Sequence, residues 1–554
     1  MKKFLLALCV LVIACATAFG AGQQDGSTAG EESNLTPAGT FPIVKEKITL
    51  DFFATVEEWV ILEDNELLNW FEELTNIKPN FETVATGANA QEKINLILAS
   101  QSNLPDAFWD AGNISSEQRA IYGGQGLFVD LKDYWEWLPN MQKIEAGDPT
   151  AVQSITAPDG GIYSFLRKTV CEHCLNSQRM WINTAWLDNL GLDMPETTED
   201  FFDVLVAFRD QDANGNGDPN DEVPLFALAT AWRTEIVGFL MNPFTFTILQ
   251  SDGFRYVENG TVTSSILQPG FPEGLKYIAR LYDEGLLDKE FVSAQRPQAK
   301  ALTGNPKGNQ LGAIPAGGLG PWVNIGVEGA RSEFKALPPL KGPSGLQQTP
   351  YFPFYPKERY SVVSTSDNVI AALRFADLQL VSRHDNFEHW AAIRNGPNGW
   401  DPVDDPEGNL SVFGTKAIFQ RNFPWAQPSN KLLANQVLSF EMDNVDMKSF
   451  MYGGAGEIGA FDQEKILYNA RTNDYAPYSV DKYLPPIGIA ADRATDYSEY
   501  QTASTQYIKE NMAKFIIGVR DIDAEWDDFL EELNQLGFAE FLAITQAAYD
   551  ERYK

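Results

Sequence analysis

Between residues 210 and 222 the chain reads Asp210-Gln211-Asp212-Ala213-Asn214-Gly215-Asn216-Gly217-Asp218-Pro219-Asn220-Asp221-Glu222. Side-chain oxygens at alternate positions on a tightly turning loop suit a hard cation such as calcium, which takes about six to eight oxygen ligands. Gly215 and Gly217 permit the turns that aim those side chains inward. Two registers are open. One starts at Asp210, places Gly215 sixth and ends on Asp221, without the terminal Glu of an ordinary EF-hand. The other starts at Asp212 and closes with Asp221 or Glu222. Calcium held here would brace a loop and implies no catalysis.

A second group with chemical potential is Cys171-Glu172-His173-Cys174. It admits a disulfide, a pair of free thiols, or a metal or redox site. No second Cys pair exists to complete a zinc site, and His384 and His389 lack the spacing of a metalloprotease helix. An oxidising compartment favours the disulfide. Nucleophile-elbow and zinc-protease motifs are absent from the sequence. Glycoside hydrolysis needs two carboxylates about 5–10 Å apart. The 76 acidic residues could supply such a pair, so a secreted polysaccharide-active enzyme stands as the alternative reading, although no catalytic motif points to it.

The elements around these groups begin with an export signal. Lys2 and Lys3 precede an apolar run from Phe4 to Ala14, of signal-peptide length and too short to span a bilayer. Val12-Ile13-Ala14-Cys15 resembles a lipobox, which would make Cys15 the lipidated N-terminus; Ala16-Thr17-Ala18 suits ordinary cleavage instead. Residues 1–21 are read as signal and 22–44 as a flexible linker, because Gly20 to Thr40 is rich in small polar residues. The protein is expected outside the inner membrane, periplasmic or at the cell surface. A net charge of −34 repels phosphate backbones, so no nucleic-acid partner is expected.

The remaining 500 or so residues exceed the size at which one core splits into domains. Ile48, Leu50 and Phe52 alternate as in a strand, and Leu67, Leu68, Phe71 and Leu74 follow helical spacing. Asn80 to Val84 reads as a strand, Ile94, Ile97 and Leu98 mark a helix, and Pro105 to Trp109 begins another strand. Such alternation indicates α/β architecture with largely parallel sheets, whose ligands bind beyond the carboxyl ends of the strands. Leu275, Ile278, Leu281 and Tyr282 share a helical face ended by Gly285, and Trp526, Phe529, Leu530 and Leu533 share another before Gly537.

Several segments, in order, resemble the family 1 extracellular solute-binding proteins of ABC transporters, in particular the large calcium-containing oligosaccharide and alginate binders. These are Met180-Trp181-Ile182-Asn183-Thr184-Ala185-Trp186-Leu187-Asp188, then Pro195-Glu196-Thr197-Thr198, then the acidic loop through Asp221-Glu222-Val223-Pro224-Leu225. Gly320-Pro321-Trp322, Pro105-Asp106-Ala107-Phe108-Trp109, Gly396-Pro397-Asn398-Gly399-Trp400 and Glu510 to Gly518 add to the match, which spans about residues 45–550. The resemblance implies a periplasmic-binding-protein type II fold: two discontinuous α/β lobes closing on a ligand. On this reading residues 45–172 with 357–425 form one lobe, and 173–356 with 426–554 the other. It also implies a monomer that binds a carbohydrate and delivers it to a permease, without enzymatic activity; a peptide or other polar solute is the alternative cargo.

In that family the first calcium ligand is the Asp before the Asn-Gly repeat, which favours Asp212. The implied set is then Asp212, Asn214, Asn216, Asp218, Asp221 and Glu222. Sugars offer apolar faces ringed by hydroxyls, so their sites combine aromatic platforms with planar polar groups. Of thirteen Trp, Trp109 and Trp322 match cleft positions of the family. Trp59 and Trp232 follow strands, and Trp400 would border the opening. Asp110 and Arg233 are placed to bond hydroxyls.

Overall fold

A computed structural model of the chain describes residues 28–57, 59–85, 88–109, 113–169, 171–229, 231–249, 252–323, 332–403, 410–411, 416–423, 428–440, 451–453 and 460–554. Cys15 and the expected signal lie outside the described residues, as does Asp110. Among the described residues no helix is long and apolar enough to cross a membrane.

Along the chain the first twelve strands are β1 (Ile48–Val56), β2 (Ile77–Ala85), β3 (Ala107–Trp109), β4 (Phe165–Arg167), β5 (Met180–Asn183), β6 (Val223–Leu225), β7 (Arg255–Glu258), β8 (Thr261–Ser264), β9 (Leu311–Pro315), β10 (Phe334–Leu337), β11 (Thr349–Pro350) and β12 (Lys357–Val362). Two sheets dominate. The first has the order β2-β1-β3-β12-β4 and the second β10-β5-β9-β6. In the first, β1 runs parallel to β2 and β3, while β12 is antiparallel to β3 and β4. In the second, β6 and β9 are parallel and β5 is antiparallel to β9 and β10. Each sheet is thus parallel with one reversed strand.

Alternation along the strands sorts their side chains onto two covered faces, as buried parallel sheets require. Phe52 and Trp109 enter one core with Phe71, Phe165, Tyr360 and Phe375, whereas Phe53 and Phe108 enter a smaller one with Ile94, Leu98 and Phe128. The second sheet packs Trp181, Phe208, Leu275, Leu311, Trp322, Phe529 and Phe541 into a separate large core. Each such fully buried side chain contributes about 1.5–3 kcal/mol of transfer free energy. Residues 432–440 return to the first sheet's core through Leu432, Leu433, Leu438 and Phe440.

The segment expected to be a flexible linker is folded from Thr28 onward. It forms a helix, Thr28–Asn34, and buries Leu35, Ile43 and Val44 in the first core. Arg374, 4 % exposed, holds it by donating to the carbonyls of Thr36 (2.6 Å), Pro37 (2.9 Å) and Thr40 (2.9 Å). The composition is polar, but three well-spaced apolar residues and one buried guanidinium are enough to dock it.

The Thr197–Thr198 pair begins the helix Thr198–Asp210, whose last residue opens the acidic loop. Thr197 Oγ1 accepts from Asp200 N (3.1 Å) and Asp200 returns the bond to Thr197 N (2.9 Å). Removing one half of this capping box leaves a helix donor without its partner. Thr197→Ala is therefore expected to cost about 1 kcal/mol, measurable as a lower denaturant midpoint with an unchanged slope.

Candidate functional site

Strand directions fix where a ligand can sit. The connection from β4 to β5 leaves the first sheet at its carboxyl edge and enters the second at the same kind of edge, because Met180 of the reversed β5 lies opposite Pro315, the last residue of β9. The connection from β10 to β12 does likewise, since Lys357 of β12 is paired with Arg167, the last residue of β4. Both connections thus join carboxyl edge to carboxyl edge, where ligands of open α/β sheets bind.

On the second sheet's side, Trp232 stands at this edge with 37 % of its surface exposed. One face of its ring lies on the turn after β9: a Cβ at Gly317 would sit 2.6 Å from Trp232 Cε3, and one at Gly318 3.3 Å from Cζ3. Gly317 N donates to the Trp232 carbonyl (3.0 Å). The turn is itself held from below, by Arg179 Nη1 on the Gly317 carbonyl (2.8 Å) and Trp322 Nε1 on the Gly318 carbonyl (2.9 Å). His173 packs edge-on to Trp232 at 6.0 Å. The result is a rigid indole with its glycine-facing side covered and the remainder open.

Arg233, with φ +58°, places its guanidinium 4.3 Å from the Phe352 ring centroid, tying the second sheet's loop to the connection that leads into β12. Burial pulls the Arg233 pKa down to about 10, against the opposing charges of Glu235 and Tyr483. Glu235 is raised, chiefly by burial. In the first sheet Lys357 and Arg167 pair across β12 and β4 at the carboxyl edge. Gln436, 2 % exposed, accepts at its carbonyl from Trp109 Nε1, and both atoms of its side-chain amide are buried without a hydrogen-bond partner among the described residues. Cys171 and Cys174 form a disulfide, with Cys171 Sγ 3.3 Å from His173 Nε2.

The other tryptophans lie elsewhere than the sequence suggests. Trp109 and Trp322 have no exposed surface. Trp109 is enclosed by Phe52, Phe81, Tyr360 and Phe375, with ring centroids 5.7–6.1 Å away. Trp322 packs on Phe334 at 4.7 Å and Trp181 at 6.3 Å. Both are core residues, Trp109 at the end of β3 and Trp322 in the turn beyond β9, and neither presents an exposed face. Trp59 is 7 % exposed and belongs to the first core. Trp400 is half-buried against Phe387 and Phe419. Only Trp232 and Arg233 of the described candidates come together at the edge.

The acidic loop folds around Asp221. Asn214 Nδ2 and Asn216 Nδ2 each donate to it at 2.9 Å, and Gln310 Nε2 at 2.8 Å. Burial pushes the Asp221 carboxyl up, but these bonds more than offset it, leaving the pKa below the usual value. Asp212 accepts from Asn216 N (3.0 Å) and Gly217 N (2.9 Å), while Asp210 is exposed and paired with Arg209 (2.7 Å). Glu222 Oε2 is buried without a partner, and burial raises its pKa. Asp218 is exposed and caps Asn220 N (3.3 Å). An orphaned carboxylate oxygen, two further carboxylates and two Asn amides on one turn fit a hard cation. The two Asn amide N–H groups meanwhile supply the positive side that Asp221 needs.

No family model matches the sequence. The chain is 27 % identical over 538 residues to the fructooligosaccharide ABC transporter substrate-binding protein FusA of Streptococcus pneumoniae serotype 4, covering 92 % of each chain. Over most of its length the chain is thus similar to a substrate-binding protein of an ABC transporter. Solved structures share its fold. An EF-hand mutant of S. pneumoniae FusA in complex with fructo-nystose superposes with a TM-score of 0.74 at 24 % identity, covering 91 % of this chain and 99 % of that one. The alginate-binding protein AlgQ2 without calcium ion gives 0.67 at 22 % identity, covering 93 % and 100 %.

Among the residues described above, the sequence did not single out His173, Lys357, Arg359 and Gln436 as candidate contacts. His173 lies inside a motif read for its cysteines. The signal for Gln436 would have been a polar residue within an otherwise apolar return segment, Leu432 to Leu438.

Proposed function

We propose that this chain captures an oligosaccharide in the crevice between its two sheet-centred bodies and delivers it to the permease of an ABC importer. The observation that carries this is Trp232, an exposed indole backed by Gly317 and Gly318 at a carboxyl edge, with Arg233 next to it in the chain. Stacking on a sugar's apolar face is what such a platform offers, and Arg233 offers hydrogen bonds to hydroxyls. The FusA relative, a fructooligosaccharide binder by name, supports the same cargo class. Binding without chemistry is the role of such transport components.

Each core is proposed as one lobe, and the packing of Leu432 to Phe440 favours extending the first lobe to about residue 440. Contacts from both lobes favour a closed state when ligand is present. Calcium is proposed at Asp212, Asn214, Asn216, Asp221 and Glu222, where it would neutralise the carboxylates and brace the loop. The protein acts as an exported monomer, anchored by lipid at Cys15 or released by cleavage after Ala18.

A thermal-shift screen of mono- and oligosaccharides against peptides tests the cargo. A ligand present at 100 times its Kd stabilises by about 2.7 kcal/mol, so at least one oligosaccharide should raise the Tm clearly. Stabilisation by peptides alone would refute the proposal.

A further inference from the structure

Two supports hold the Trp232 indole, the glycine turn on one face and a short helix at its edge. That helix, Glu172–Asn176, is a 3-10 helix in the connection from β4 to β5. Its second residue, His173, is 6 % exposed and meets the indole edge-on, with ring centroids 6.0 Å apart. The imidazole also rests on the disulfide: Cys171 Sγ lies 3.3 Å from His173 Nε2 and 3.7 Å from Nδ1. A single buried cation joins the two supports. Arg179, with no exposed surface, donates through Nη1 to the Gly317 carbonyl (2.8 Å) and through Nη2 to the His173 carbonyl.

Short 3-10 helices have poorer hydrogen-bond geometry than α-helices, and this one has no side-chain cap at Cys171. Its first turn is closed by a backbone bond from Cys174 N to the Cys171 carbonyl (2.7 Å) and by the disulfide across the same two residues. The helix is tied to the rest of the protein by other means. Glu172 pairs with Arg471 at 2.9 Å, Asn176 Nδ2 donates to the Pro350 carbonyl (3.0 Å) and to Ser479 Oγ (2.8 Å), and Phe352 N donates to the Leu175 carbonyl (2.8 Å). These bonds keep the helix in place without the disulfide. A disulfide constrains the unfolded chain more as its loop lengthens, and this one has a sequence separation of only 3. Its contribution to global stability is therefore small. What it adds is local, the conformation of the turn that carries His173.

We propose that His173 and the Cys171–Cys174 disulfide are positioning groups of the binding site: the disulfide fixes the His173 ring, and that ring fixes the indole of Trp232. The consequence for ligand binding rests on the platform reading of Trp232 above and adds to it the groups that set the platform before ligand arrives. An indole already ordered loses less freedom when a sugar stacks on it.

Fluorine NMR of the mature chain labelled with fluorotryptophan gives a readout that needs no ligand, with the Trp232 signal assigned by its loss in Trp232→Phe. Replacing both cysteines (Cys171→Ser with Cys174→Ser) and, separately, His173→Ala should each shift or broaden that signal. His173→Phe, which keeps an edge-on ring, should restore it. The signal of Trp186, buried against Phe208 with ring centroids 5.1 Å apart, should stay in place. His173→Ala leaves the disulfide intact, so it carries the test even where the cysteine variant fails to fold. In calorimetric titrations with short-chain fructooligosaccharides, His173→Ala and the cysteine variant should each weaken binding by about two- to twelvefold, the cost of ordering one loosened side chain. In a Trp232→Ala background neither should weaken it further, because effects exerted through a shared group do not add. An unmoved Trp232 signal in His173→Ala, or losses that add fully to that of Trp232→Ala, would overturn the positioning role. If the signal moves as expected while neither these sugars nor any oligosaccharide of the thermal-shift screen binds, the positioning of Trp232 stands and the oligosaccharide reading alone fails.

Discussion

Trp232→Ala should weaken oligosaccharide binding by roughly 30- to 150-fold, the loss typical of a central aromatic anchor worth about 2–3 kcal/mol. The unliganded protein should change little. The ring is 37 % exposed and covers a glycine turn whose own bonds to Arg179 and Trp322 do not need it. Trp322→Ala should behave in the opposite way. That ring is wholly buried against Phe334 and Trp181, so its removal should cost about 3–5 kcal/mol of stability. It would also free the Gly318 carbonyl, disturbing the floor beneath Trp232. Urea melts and calorimetric titrations of the two variants separate platform from support. If Trp232→Ala bound as well as the parent, the platform assignment would fail.

Chelation should lower the Tm by about 5 °C relative to saturating calcium, corresponding to about 2.7 kcal/mol at a hundredfold excess over Kd. The physical reason is the buried Glu222 Oε2 without a partner, close in sequence to Asp221 and facing a loop in which Asn amides replace positive charge. Glu222→Gln should abolish most of the calcium-dependent shift. It should also raise stability in chelator, because burial already disfavours the charged carboxyl and the neutral amide carries no such penalty. A Tm indifferent to chelator in the parent protein would remove calcium from the loop.

Much of the fold was legible because local pattern and tertiary role agree. Ile48 to Phe52 alternates and is β1; Leu67, Leu68 and Phe71 share a face and are buried in the helix Glu66–Thr75. Gly285 and Gly537 end helices with φ of +68° and +87°, as their place after apolar periodicity suggests. The Met180 to Leu190 segment is the strand and helix its resemblance implies. The acidic loop was legible because its chemistry is local.

The crevice was less so. Trp109, Trp322 and Trp232 all follow strands, and sequence does not say which indole faces inward. What decides is a neighbour far along the chain: Gly317 and Gly318 make room for Trp232, whereas Phe52 and Tyr360 close over Trp109. Lys357 and Arg167 are 190 positions apart and meet only through strand register. The polar segment before Val44 was misread for the same reason, since Arg374 docks it from more than 330 residues away.

The most direct measurement is calorimetric titration of the mature chain with purified oligosaccharides, followed by recovery and mass analysis of the bound sugar. Capture without chemistry predicts saturable one-to-one binding and a recovered sugar of unchanged mass. Absence of binding by every oligosaccharide, or recovery of shortened products, would contradict it.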